Sequence, residues 1–129
     1  VETSTNLFAA YQGGSFAAKH SWAKDNADAV KGFIRGYLKG LEWTLDPANL
    51  DAATQVLLAN MDAIKPPVAP KVMANLLNPR SGLTPRGAFL PEGVDTVLDL
   101  RRRYGGGLAN SDPARYIDTS FYNDALKGA

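Results

Sequence analysis

The sequence predicts a mainly α protein: five to six helices, preceded by one or two short strands near the N-terminus. Three observations carry that reading. Apolar residues recur at helical spacing from Asn26 onwards. Prolines stand where helices would begin and glycines where they would end. The segments that read as strands are confined to the first twenty positions.

Val1 to Thr5 is weakly strand-like by its β-branched residues, and Asn6 to Tyr11 fits a strand or a helical turn. Gly13-Gly14 breaks the pattern. Ser15 to His20 reads as a strand with Phe16 and Ala18 on one face. The period then becomes helical: Val30, Phe33, Ile34, Tyr37, Leu38, Leu41 and Leu45 form one apolar stripe. Asp25 or Asn26 is placed to cap this helix, and Asp28 suits the positive end of its dipole.

Asp46-Pro47 ends that helix and starts the next, with Asp46 as cap and Pro47 at the first helical position. The second helix runs to about Met61, its inner face made of Leu50, Ala53, Val56, Leu57 and Met61. Lys65-Pro66-Pro67 is a stiff connector. Pro70 opens a third, shorter helix to about Leu77. Asn78 to Leu90 reads as a long loop, and long loops in compact domains are often functional or exposed. A fourth helix starts at Pro91 and reaches Tyr104, where Gly105-Gly106-Gly107 stops it. Asp112-Pro113 starts a short helix through Ile117. Thr119 caps a last one with Tyr122 and Leu126 inward. There is no internal repeat and no low-complexity tract.

At 129 residues the chain is long enough for one domain with a core. A hydrophobic share of 45% with 21% charged residues is that of an ordinary globular protein. A net charge of +1 gives no argument for nucleic acid or a membrane surface as partner. The absence of cysteine excludes a disulfide framework, a thiol nucleophile and a cysteine-based zinc site. No apolar run approaches the roughly 18 residues of a membrane span. The first residues lack the basic and apolar regions of a signal peptide, and no Met opens the chain. Both fit an expectation that it starts inside a longer gene product.

Few residues point to chemistry. His20 is the one histidine, without a second strong metal ligand at suitable spacing and without a nucleophile motif, so no catalytic and no metal residue is assigned. Gly32, Gly36 and Gly40 recur every fourth residue of the long helix, each costing about 1 kcal/mol relative to Ala. Charges scattered through that helix argue against a membrane dimer motif, which leaves a glycine-lined packing groove in a soluble core. Arg101, Arg102 and Arg103 point about 100° apart on a helix, so they read as helix-end charges, the alternative being that one of them pairs with a buried or ligand carboxylate. Gly13-Gly14-Ser15 fits a plain turn or a small anion nest, flanked by Tyr11 and Trp22.

Two segments carry a family resemblance. One is Phe16-Ala17-Ala18-Lys19-His20-Ser21-Trp22-Ala23-Lys24-Asp25-Asn26-Ala27-Asp28, followed by the long helix that ends in Asp46-Pro47. The other is Asp112-Pro113-Ala114-Arg115-Tyr116-Ile117-Asp118-Thr119-Ser120-Phe121. Together they resemble the C-terminal part of ABC-transporter periplasmic solute-binding proteins, in the branch for nitrate, sulfonates, taurine and thiamine precursors.

That resemblance implies a type II periplasmic binding fold, with two α/β lobes joined by a hinge. Residues 1–20 would be the end of the second lobe and a hinge strand. Residues 21–129 would be helices packed on the first lobe. Tyr11, Gln12, Gly13, Gly14, Ser15 and Phe16 would be ligand-proximal. The implied partners are a small solute and, for the full-length protein, an ABC permease. The implied location is extracytoplasmic, and no cofactor and no covalent chemistry are implied. Faces meant for the missing lobe would make the isolated chain self-associate. Two rival readings are a stand-alone helical interaction or regulatory domain and an enzyme resembling those of thiamine-pyrimidine synthesis. The enzyme would usually need a cysteine cluster that this chain lacks.

Overall fold

The structure, a computed structural model, describes residues 4–105 and 112–127. Its helices are α1 (Ser4–Leu7), α2 (His20–Asp25), α3 (Ala27–Leu45), α4 (Leu50–Asn60), α5 (Ala69–Leu76), α6 (Pro91–Tyr104) and α7 (Ser120–Lys127). Short 3-10 turns cover Pro47–Asn49, Pro85–Gly87 and Pro113–Arg115. The mainly α expectation holds. The strand-like reading of Val1 to Thr5 falls partly outside the described residues, as does the helix stop at Gly106 and Gly107.

The expected strand at Ser15 to His20 is not formed, and the described residues contain no strand. Residues 15–19 form no regular element. Lys19 is extended (φ −64°, ψ 132°), and His20 opens α2. The reason is that a strand is completed by a neighbour's backbone groups, and no second strand is formed among the described residues to supply them. Asn26 also departs from expectation. It closes α2 and precedes α3, but its side chain reaches back, Nδ2 donating to the Trp22 carbonyl at 2.9 Å.

The chain divides into two compact units, Val1–Arg35 with Phe89–Ala129, and Gly36–Ala88. In the second unit the Asp46 carboxylate accepts the Ala48 N–H at 2.9 Å, so the Asp-Pro start forms as the sequence predicts. Asn49 Nδ2 ties the turn back to the Trp43 carbonyl at 3.0 Å. The buried side chains are Leu41, Ala53, Ala69 and Met73. Alanines at these points keep little bulk between α4 and α5, which pack together.

The stretch 78–90, expected as a long loop, is tightly pinned. Asn78 Oδ1 accepts the N–H groups of Arg80 (2.9 Å) and Ser81 (3.2 Å). Gly82 passes over the end of α5, where a Cβ would lie 2.7 Å from the carbonyl oxygens of Asn75 and Asn78 and collide with that of Leu76. Arg86 then sits at φ 59° and Gly87 at φ 56°. Only the second suits that left-handed region.

In the first unit the buried positions are Ala23, Gly93, Leu98 and Ala125. Asp112 Oδ1 accepts the Ala114 N–H at 3.0 Å, which sets the 3-10 turn that packs on α6. The start of α7 is fixed by Asp118 rather than by Thr119: Asp118 Oδ1 accepts the Ser120 N–H at 2.9 Å.

Candidate functional site

The six residues expected near a ligand do not converge on one point. Tyr11 lies against α6, its ring stacked on Phe8 with centroids 5.9 Å apart. Gln12 is spent within the chain: Oε1 accepts the Leu90 N–H at 3.0 Å and Nε2 donates to the Gly14 carbonyl at 2.5 Å. The Leu90 N–H stands at the head of α6, where backbone donors have no intrahelical partner. Gln12 therefore does the work of a cap from a distant part of the sequence, since the residue in the cap position, Leu90, has no side-chain oxygen.

Gly93 makes this approach feasible. A Cβ there would lie 2.6 Å from the Gln12 N and 3.0 Å from the Tyr11 carbonyl carbon. Gly13, Gly14 and Ser15 are exposed. An anion nest alternates right- and left-handed residues, and neither Gly13 nor Gly14 has positive φ, so the nest geometry is absent. Phe16 turns to α3 and meets Phe33 edge to face at 5.0 Å, with 69% of its surface exposed.

His20 Nδ1 lies 3.8 Å from Asp118 Oδ2. The Ser120 hydroxyl and N–H hold the Asp118 carboxyl below its ordinary value of 3.8, and the His20 imidazole adds a smaller pull in the same direction. The three side chains share one corner, but the carboxylate is the common partner of the other two. A nucleophilic triad requires the imidazole in that middle position, taking the proton from the hydroxyl. His20 and Ser120 form no hydrogen bond, so the cluster is a helix-start brace linking α2 and α7.

Of the three arginines, Arg102 and Arg103 both reach Asp99, at 3.4 Å and 2.7 Å. Arg101 has no carboxylate partner among the described residues. It lines an open groove of about 400 Å³ with Tyr11, Val97, Leu100, Tyr104 and Gly105. Sequence reasoning did not find this groove, because its walls come from residue 11 and from the far end of α6. No local pattern connects them.

The glycine stripe is the clearest departure from expectation. A Cβ at Gly32, Gly36 or Gly40 would meet nothing within 4 Å among the described residues. The glycines lie about 180° around the helix from the inward line of Val30, Ile34, Leu38, Leu41 and Leu45. No packing groove is formed there by the described residues. Groups of three or more potential metal-ligating side chains are absent among the described residues, and no described helix is long and apolar enough to cross a membrane. No protein-family model, curated protein or solved structure matches this chain.

Proposed function

We propose that this chain is the C-terminal part of the solute-binding component of an ABC import system, working outside the cytoplasm without covalent chemistry. In the complete protein a small anionic or heterocyclic solute would be gripped between two lobes. The closed form would then be read by a membrane permease. Gly13, Gly14 and Ser15, exposed in this chain, would face that cleft, with Gln12 holding their segment to α6.

One observation carries the reading: among the described large apolar side chains only Leu41, Met73 and Leu98 are buried, and many of the rest are exposed. Among the described residues seven apolar ones are buried and four of these are alanine, while Phe16, Trp22, Phe33, Tyr37, Trp43 and Val56 are each at least 40% exposed. Fully burying one such side chain is worth about 1.5–3 kcal/mol. A sequence that leaves so many uncovered reads best as one shaped to be covered by something else. The open glycine stripe of α3 and the strand-like segment without a ladder partner support the same reading.

The test is a thermal-shift screen of the full-length gene product against nitrate, sulfonates, taurine, pyrimidine precursors and aromatic acids. A ligand at a hundred times its Kd adds about 2.7 kcal/mol to stability, which moves the midpoint by several degrees. A gene product with no second lobe, or one whose midpoint responds to none of these classes, overturns the proposal.

A further inference from the structure

We propose that the groove between Tyr11 and the last two turns of α6 is a binding site for a small planar aromatic anion, such as an aromatic carboxylate. The site lies wholly within the first unit, so it does not rest on the proposed two-lobed function. Its lining is largely apolar and includes Val97 and Leu100. Two aromatic side chains, Tyr11 and Tyr104, also line it. Tyr11 stacks on Phe8, which holds its ring before any ligand arrives. A volume of about 400 Å³ lies within the range of small-molecule sites.

Charge selects the class of ligand. Arg102 and Arg103 are neutralised by Asp99, while Arg101 has no acidic partner among the described residues and lines the groove. A guanidinium in this setting takes a carboxylate by paired N–H donation, and a ring attached to that carboxylate is within the groove that Tyr11 and Tyr104 line, where it can make offset or edge-to-face contact. A bound cation would be repelled by the same arginine. The negative end of the α6 dipole opposes an anion. That opposition is reduced here because the Arg101 carbonyl already accepts the Gly105 N–H at 2.8 Å.

The experiment is an amide-shift titration of this chain by NMR with three probes: benzoate, cyclohexanecarboxylate and benzyl alcohol. Benzoate should saturate below about 10 mM, a weak but measurable affinity, and move the amides of Tyr11 and Val97 to Gly105 most. Cyclohexanecarboxylate and benzyl alcohol should each bind at least fivefold more weakly, since one lacks the ring and the other the charge. Arg101→Gln should weaken benzoate tenfold or more. Tyr104→Ala, at a residue 82% exposed and so safe for folding, should weaken it severalfold. Arg102→Gln should change nothing. Equal affinity for all three probes, an unaltered benzoate titration in Arg101→Gln, or shifts centred elsewhere would each overturn the proposal. A full-length protein that fails to transport or bind solute would leave this titration as it is.

Discussion

Substituting Gly93 by Ala should release the segment around Gln12 while leaving α6 intact. A Cβ at position 93 falls 2.6 Å from the Gln12 N, 3.0 Å from the Tyr11 carbonyl carbon and 3.2 Å from the Gln12 Cβ. The first two are backbone atoms, which do not swing aside as the end of a side chain does. Overpacking of this kind costs about 1–3 kcal/mol, and a clash with fixed backbone belongs at the upper end. Against it stand the attachments of the segment to α6. The Gln12–Leu90 hydrogen bond contributes about 1 kcal/mol net. The covered half of the Tyr11 ring adds about 1 kcal/mol on the same scale as other partly buried side chains. The Phe8–Tyr11 stack and the Gln12–Gly14 bond move with the segment and do not anchor it. The clash therefore exceeds the attachment, and the segment lifts away. Helix α6 then gains about 1 kcal/mol from replacing Gly by Ala, which offsets much of what is lost. The expected result is a thermal midpoint changed only slightly, with the Leu90 amide exchanging its proton rapidly. Gln12→Ala should produce the same loss of protection, and the double variant should behave like Gly93→Ala alone. A Gly93→Ala variant in which the Leu90 amide still exchanges slowly, or one destabilised by more than about 3 kcal/mol, would refute this reasoning.

Arg86 holds a left-handed conformation at φ 59°, so Arg86→Gly should raise stability by about 0.5–1 kcal/mol in urea unfolding; a loss would mean that the Arg86 side chain contributes more than its backbone strain costs. At the neighbouring Gly87, Ala should destabilise by about 1–3 kcal/mol, because φ is 56° and a Cβ lies 3.2 Å from the Tyr37 ring. Asp118 has a lowered pKa in the folded chain, so it binds its proton less readily there than when unfolded. Its contribution is complete above the ordinary value of 3.8 and is lost as pH falls below that through the folded value. Asp118→Asn should flatten that part of the acid-unfolding curve, and an unchanged curve would show that the Ser120 contacts do not matter for stability. Light scattering during size exclusion should find dimers or larger species of the isolated chain as concentration rises, driven by its uncovered apolar side chains. A monomer at every concentration would remove that expectation.

What the sequence reveals and what it hides divide along one physical line. The starts at Asp46-Pro47 and Asp112-Pro113 are legible because each is closed by a carboxylate bonding to a backbone N–H two residues away. The long helix is legible from its period. The strand at Ser15 to His20 was misread because a strand is not a local object, and its residues carry no sign of whether a neighbour exists. Glycines show the same division. Gly32, Gly36 and Gly40 form a conspicuous pattern yet stand in open space, whereas Gly82 and Gly93, which no pattern marks, have backbone lying directly over them. The run expected near a ligand is contiguous in sequence, but its side chains part. Tyr11 and Gln12 go to α6, and Phe16 goes to α3.

The apolar stripe of α3 takes this one step further. Period alone assigns Phe33 and Tyr37 to the inward face beside Leu41, yet they are 53% and 40% exposed while Leu41 is 5% exposed. The stripe is wider than the cover that this chain lays over it. Ordinary surface positions do not need aromatic side chains at helical spacing, and each one left about half exposed forgoes about 1 kcal/mol of burial. On the proposed reading, the width of the stripe records a second surface that covers Phe33 and Tyr37 in the complete protein. Replacing Phe33 or Tyr37 by Ser should therefore cost the isolated chain about 1 kcal/mol, and the full-length protein about 1 kcal/mol more. Equal effects in the two settings, measured by urea unfolding, would show that nothing beyond this chain covers that face.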